Sequence, residues 1–141
     1  MSFLRIVYES QASASLSEAE VIDILRKSQV RNNQDKISGI LLFQGRRFLQ
    51  FIEGPPQAVQ ALFARIAKDP RHQDIRILSE TNDEKLLMPT WAMAYSSPTL
   101  ELHKGDTFLL GQRQAQSICE LLPEQIARPF LEQLSDKSEA A

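Results

Sequence analysis

The sequence predicts an α+β fold. It is a ferredoxin-like β-α-β-β-α-β sheet with an extra fifth strand, two helices on one face and short C-terminal helices. Three observations predict it. Apolar runs at 40–43 and 48–52 flank Gln44-Gly45-Arg46 and close on Gly54-Pro55-Pro56, a β-hairpin pattern with largely buried strands. Two stretches of helical periodicity bracket that hairpin. Strand-like runs at 3–8 and 75–78 complete the alternation.

The elements follow in order. Phe3-Leu4-Arg5-Ile6-Val7-Tyr8 is β-branched and aromatic enough for a first strand, and the small polar residues 9–15 read as a loop. Ser17-Glu18-Ala19-Glu20 is a capping box, followed by Val21, Ile22, Ile24 and Leu25 at mostly helical spacing, so a helix is expected over 18–29. Residues 31–35 read as a polar loop with left-handed-tolerant Asn. After the hairpin, Pro55-Pro56 opens a second helix whose Val59, Leu62, Phe63 and Ile66 stand at i, i+3, i+4, i+7. Lys68-Asp69-Pro70 stops it, 71–73 is a junction, and Ile75-Arg76-Ile77-Leu78 is a fourth strand. Residues 81–85 read as a charged loop. Trp91-Ala92-Met93-Ala94-Tyr95 is a fifth strand. Beyond it, 107–122 and 124–135 read as helical, broken by Pro123 and Pro129 into short pieces, with 136–141 a frayed tail.

Composition narrows the function classes. At 141 residues the chain has the size of one domain. Net charge is −2, which argues against nucleic acid or an anionic membrane as partner. The single Cys119 excludes an internal disulfide and fits a reducing, cytoplasmic setting. No apolar run approaches the roughly 20 residues that span a bilayer. Residues 1–10 lack the basic region and cleavage site of a signal peptide.

No catalytic constellation stands out, so no enzymatic activity is expected. CxxC, HExxH, GxSxG and Gly-rich phosphate loops are absent, and His72 and His103 are isolated, so no metal site is expected. The unusual polar groups are Tyr8, Ser28, Asn32, Asn33 and Gln50. Gln50 interrupts an apolar run, where an amide is costly unless both ends find partners or the pleat turns it to solvent. In a ferredoxin-like sheet strands one and three are neighbours, which sets Tyr8 beside Gln50, with Asn32 above them at the end of the first helix. A cleft there would hold a phenol, a carboxamide and an Asn. It suits a flat heteroaromatic ligand that both donates and accepts hydrogen bonds.

The same residues carry a family resemblance. Arg5-Ile6-Val7-Tyr8-Glu9-Ser10, Ile24-Leu25-Arg26-Lys27-Ser28, Asn32-Asn33, Ile37-Ser38-Gly39-Ile40-Leu41, Phe48-Leu49-Gln50-Phe51-Ile52-Glu53-Gly54-Pro55, Asp69-Pro70-Arg71-His72 and Trp91-Ala92-Met93 occur in order over residues 3–96. The sequence resembles BLUF domains, blue-light sensors that use flavin. It departs at Ser38, where Thr is usual, and at Leu86 and Met88, where Arg and Phe are common.

The resemblance implies noncovalent FAD, with FMN or riboflavin as alternatives, held between the two helices. It implies Tyr8 as electron and proton donor, and Gln50 as the amide between Tyr8 and the flavin edge. Asn32 would bond the ring. Arg71 would reach the opposite carbonyl, and His72 would lie near the ribityl-phosphate arm. Ile24 and Asn33 complete the expected binding set, and Ser28, Trp91 and Met93 the switch region. Residues 1–97 would form the photosensor and 98–141 an output or oligomerisation extension. The roughly 45 residues after the sheet are too few for a catalytic output domain, so the expected partners are a downstream protein and further copies of the chain. Two other readings are a small flavin-dependent or acyl-phosphate-type enzyme on the same scaffold, and a flavin-binding assembly module without photochemistry.

Overall fold

The computed structural model describes residues 2–44, 46–88, 91–96, 109–110, 117 and 119–134. Among the described residues the sheet has six strands, β1 (Phe3–Ala12), β2 (Ser38–Gln44), β3 (Arg47–Gly54), β4 (His72–Asp83), β5 (Trp91–Ser96) and β6 (Leu109–Leu110), in the order β4-β1-β3-β2-β5-β6, and the first four in that order pair antiparallel as the ferredoxin-like layout requires.

Strand β1 spans Phe3–Ala12 and is longer than the sequence suggests. Residues 9–12, expected as loop, remain strand because β3 continues opposite them, with Glu9 facing Leu49 and Gln11 facing Arg47. Glu9 accepts from Arg47 and Arg76, which satisfies its charge beside the sheet. Burial opposes ionisation of this carboxyl, but the hydrogen bonds and charges of the two guanidiniums hold it below its usual range.

Helix α1 spans Glu18–Gln34 and starts on the expected capping box. Glu20 N donates to Ser17 Oγ (3.1 Å) and Ser17 N donates to Glu20 Oε1 (3.0 Å). It runs five residues past its expected end at 29. Residues 31–34 are helix, not loop, and the left-handed residue is Lys36 (φ 60°) rather than an Asn. Arg31 in the last turn complements the helix dipole.

Strands β2 (Ser38–Gln44) and β3 (Arg47–Gly54) form the hairpin, and Arg46 (φ 65°) takes its turn. Helix α2 (Pro56–Lys68) follows, burying Val59 and Leu62. Strand β4 spans His72–Asp83, absorbing residues 72–73 of the expected junction and 81–83 of the charged loop, while Arg71 stays in the turn. The long β1 supplies partners from Ala12↔His72 to Phe3↔Asp83, with one register shift between Val7 and Tyr8 and a second between Glu9 and Gln11, where Asp74 (φ 56°) lies on the opposing strand.

Strand β5 (Trp91–Ser96) pairs parallel with β2, as Leu41↔Met93. Residues 109–110, expected within a helix, are strand β6, parallel to β5. Ser117, Cys119 and Glu120 are helical, and α3 spans Glu124–Leu134. Pro129 lies inside α3 and does not end it. The hydrogen bond a proline forfeits is offset by burial of Ile126, Ala127 and Phe130 on the face that meets the sheet. Ile118, within the stretch expected as helical, and the tail 136–141 lie outside the described residues. Among the described residues no helix is long and apolar enough to cross a membrane.

The pleat gives the sheet two cores. On one face Leu4, Ile6, Tyr8, Leu41, Phe48 and Ile52 pack against α1 and α2. On the other Val7, Ile40, Leu42, Leu49 and Phe51 pack with Cys119, Leu122, Ile126 and Phe130. Strands buried on both sides read as continuous apolar runs, which is the pattern of 40–43 and 48–52.

Gly39 fixes the approach of β2 to β3. Its φ is +139°, and a Cβ built there would lie 1.9 Å from the Phe51 carbonyl oxygen. Gly39→Ala is expected to lower stability by about 3 kcal/mol or more, because clash and backbone strain add. Urea unfolding measures it.

Candidate functional site

Between α1, α2 and the first sheet face lies a cleft of about 180 Å³. Helix α1 lines it with Ile24, Lys27, Ser28, Arg31 and Asn32, positions one helical face apart. Helix α2 and its end add Leu62, Arg65, Ile66 and Asp69, the start of β4 adds Arg71 and His72, and the sheet supplies Tyr8, Leu41, Phe48 and Gln50.

The floor holds the pair that the strand order brings together. Tyr8 and Gln50 are register partners across β1 and β3. Both are buried, Gln50 to 4% exposure, so the amide faces the cleft and not bulk water. The Tyr8 hydroxyl donates to Gln50 Oε1. The ring of Phe63 meets Tyr8 edge-on at 5.5 Å. Burial, and secondarily the negative charge of Asp69, pushes the phenol pKa well above its ordinary value. Tyr8 is therefore a neutral donor. With Oε1 engaged, the donor end of Gln50 is the one left for a ligand.

Asn32 is buried, and neither its Oδ1 nor its Nδ2 has a hydrogen-bond partner. Buried amides are nearly always paired; this one lines the cleft and has both its donor and its acceptor end available to a ligand there. His72 is locked: Nε2 donates to the Ile66 carbonyl (2.6 Å), and Nδ1 meets the Ser10 hydroxyl at 2.7 Å. Arg71 is held by Asp69, with Nε at 2.9 and 3.0 Å from its two carboxylate oxygens.

Of the residues singled out from the sequence, Tyr8, Ile24, Ser28, Asn32, Gln50, Arg71 and His72 all line this cleft. Asn33 does not. Because α1 continues through Gln34, Asn33 is rotated away from Asn32 and is exposed. Met93 stands in the register row that runs through Tyr8, Gln50 and Leu41, and Trp91 stands opposite Gly39; their side chains lie outside the described residues. Sequence reasoning missed Lys27, Arg31, Arg65 and Asp69 as cleft residues. Their spacing from Ile24 and Leu62 was the available signal. Among the described residues no group of His, Cys, Asp and Glu is placed to hold a metal.

The tightly held phenol proton sets a pH dependence. The folded-state pKa lies above the unfolded value, so the contribution is fully present below pH ~10 and is lost as pH rises beyond it. Stability is expected to fall above pH ~10, and Tyr8→Phe to flatten that fall, in urea midpoints measured across the alkaline range.

Comparison with known proteins gives the family and the fold. The family of sensors of blue light using FAD, BLUF, matches residues 3–94. The beta subunit of photoactivated adenylate cyclase from Euglena gracilis is 41% identical over 70 residues, covering 50% of this chain and 8% of that protein. The blue light- and temperature-regulated antirepressor BluF of Escherichia coli (strain K12) is 33% identical over 70 residues, covering 50% of this chain and 17% of the antirepressor. The chain thus spans less than a fifth of either relative. The dark-state structure of BlrB, a BLUF protein, superposes with a TM-score of 0.63 at 28% identity, covering 98% of this chain and 91% of that one. The match takes in both strands of the Tyr8–Gln50 pair and both helices of the cleft, and the chain belongs to the BLUF family of flavin-using blue-light sensors.

Proposed function

We propose that the cleft holds FAD noncovalently and that light acts through the Tyr8–Gln50 pair. One observation carries this reading: a buried phenol bonded to a buried amide, with the unpartnered carboxamide of Asn32 beside them. The residues fit a flavin ring. Its edge alternates acceptors and a donor, which suits an Asn free at both ends and the donor end of Gln50. Ile24, Leu41, Leu62 and Ile66 supply apolar walls.

A bound flavin supplies blue-light absorption and an electron-accepting excited state. Everything else is placement. Tyr8 would hold an oxidisable phenol and its proton within reach of that group, giving both up and taking both back, so that no oxidation state would differ once the exchange is complete. Gln50 is the one element left rearranged. Its amide has a donor end and an acceptor end, and rotation or tautomerisation exchanges which end faces the cleft. A carboxylate there would not do this neutrally, and an aliphatic side chain would not do it at all.

We assign residues 1–97 to the photosensor and 98–141 to an output and self-association extension, with the change passed along β5 by way of Trp91 or Met93 beside Ser28. A downstream protein reads it, and the chain itself acts as a sensor without turnover, in the cytoplasm. Leu121, 87% exposed on the C-terminal side, offers apolar surface for such contacts.

Absorbance of the flavin-loaded protein before and after blue light tests this. A small reversible red shift is expected. Tyr8→Phe and Gln50→Leu should keep the yellow colour and lose the shift; a normal shift in either removes that residue's role. Lys27, Arg31 and Arg65 at the cleft favour a phosphorylated flavin. FAD and FMN are expected to bind about tenfold more tightly than riboflavin at low salt, with the gap closing as ionic strength rises. Titration with the three flavins reads this directly.

A further inference from the structure

The second face of β3 carries a carboxylate that has no part in the cleft. Glu53 is fully buried, three residues beyond Gln50 and on the opposite side of the strand. Its oxygens accept from two successive backbone amides: Leu87 N at 2.8 and 2.9 Å, and Met88 N at 2.7 Å. Arg5, its register partner on β1, approaches with Nε at 3.5 Å. Arg5 also donates to Asp83 Oδ2 (2.9 Å) and to the Lys85 carbonyl (2.6 Å). Two buried charged residues therefore fasten the connection between β4 and β5 onto β1 and β3. Burying a carboxylate is costly unless its partners are well placed, and here the partners are the Arg5 guanidinium and two backbone amides of one short segment.

That segment leads to the C-terminal helices. The Met88 side chain packs in the second core with Cys119, Leu122, Ile126 and Phe130. A rigid strand thus carries Gln50 on one face and, on the other, a carboxylate whose grip sets the position of Met88.

We propose that Glu53 is the positioning residue that carries a change at Gln50 through the sheet, by way of the Leu87 and Met88 amides, to α3. The inference rests on the photosensory reading of Gln50. It adds a route distinct from the one along β5: β3 shifts, Glu53 shifts with it, and Met88 moves against α3. The carboxylate makes the coupling directional, because it bonds backbone amides at fixed positions, where an apolar contact would allow sliding.

The test is hydrogen exchange on the full flavin-loaded chain in darkness and under blue light. In the unmodified protein the Leu87 and Met88 amides and residues 119–134 should change protection together and recover at the same rate after illumination. Glu53→Gln keeps the shape and loses one acceptor oxygen. It should retain the red shift, speed dark exchange at Leu87 and Met88 by about tenfold, and abolish the light-dependent difference in 119–134. Should that variant not fold, the co-recovery in the unmodified protein decides alone. The proposal is overturned if 119–134 respond to light while the two amides do not, if the red shift forms with no response in 119–134, or if folded Glu53→Gln keeps that response. An unmodified protein with no red shift defeats the photosensory reading itself and takes the relay with it, a failure separable from the others.

Discussion

The hydrogen bond from the Tyr8 hydroxyl to the Gln50 amide oxygen is the contact around which the molecule is arranged. It exists because the strand order sets β1 beside β3 and the register sets residue 8 against residue 50. Both groups are removed from water, so each depends on the other for satisfaction, and an unpaired polar group at that depth would cost on the order of 1–3 kcal/mol. Low local polarity strengthens such a bond and magnifies any change in it. Helices α1 and α2 serve as walls that keep water out and leave a gap over the pair.

The polar groups near the gap divide into two kinds. His72 and Arg71 are engaged by protein partners and hold the rim in place. Asn32 is engaged by nothing at its amide. A folded chain can tolerate such a deficit where a ligand removes it, and Asn32 stands where both demands would fall on one residue. The second face of the sheet repeats this economy in reverse: Glu53 is saturated by backbone amides and a guanidinium, and the apolar residues around it belong to a separate core.

Much of the site was legible in the residues. Gln50 broke an apolar run, and a strand order inferred from the β-α-β-β-α-β pattern was enough to set Tyr8 next to it. The capping box at Ser17 and the stripe on α2 located two of the helices. The errors share a cause. Residues 9–12, 72–73 and 81–83 are polar or small, and local propensity marks them as loop, but β3 continues opposite the first group and the long β1 offers pairing to the other two. Arg31 through Gln34 looked like a turn because Asn favours turns in isolation; in the fold, Asn32 is drawn onto a helical face by its place over the cleft. Residues 109–110 pair with a neighbouring strand edge, a long-range event with no signature in the local pattern. Pro129 stays helical because tertiary burial of its neighbours outweighs one missing bond.

The alternation along β3 has a consequence for how such a chain can vary. Phe48, Gln50 and Ile52 serve one core while Leu49, Phe51 and Glu53 serve the other. Adding or deleting a single residue within this strand would exchange the two sets, turning the Gln50 amide toward α3 and the Glu53 carboxylate toward the cleft. Length polymorphism is therefore barred from β3, and evolutionary insertions must gather at the hairpin tip or beyond the sheet, where no residue has to answer to both sides at once.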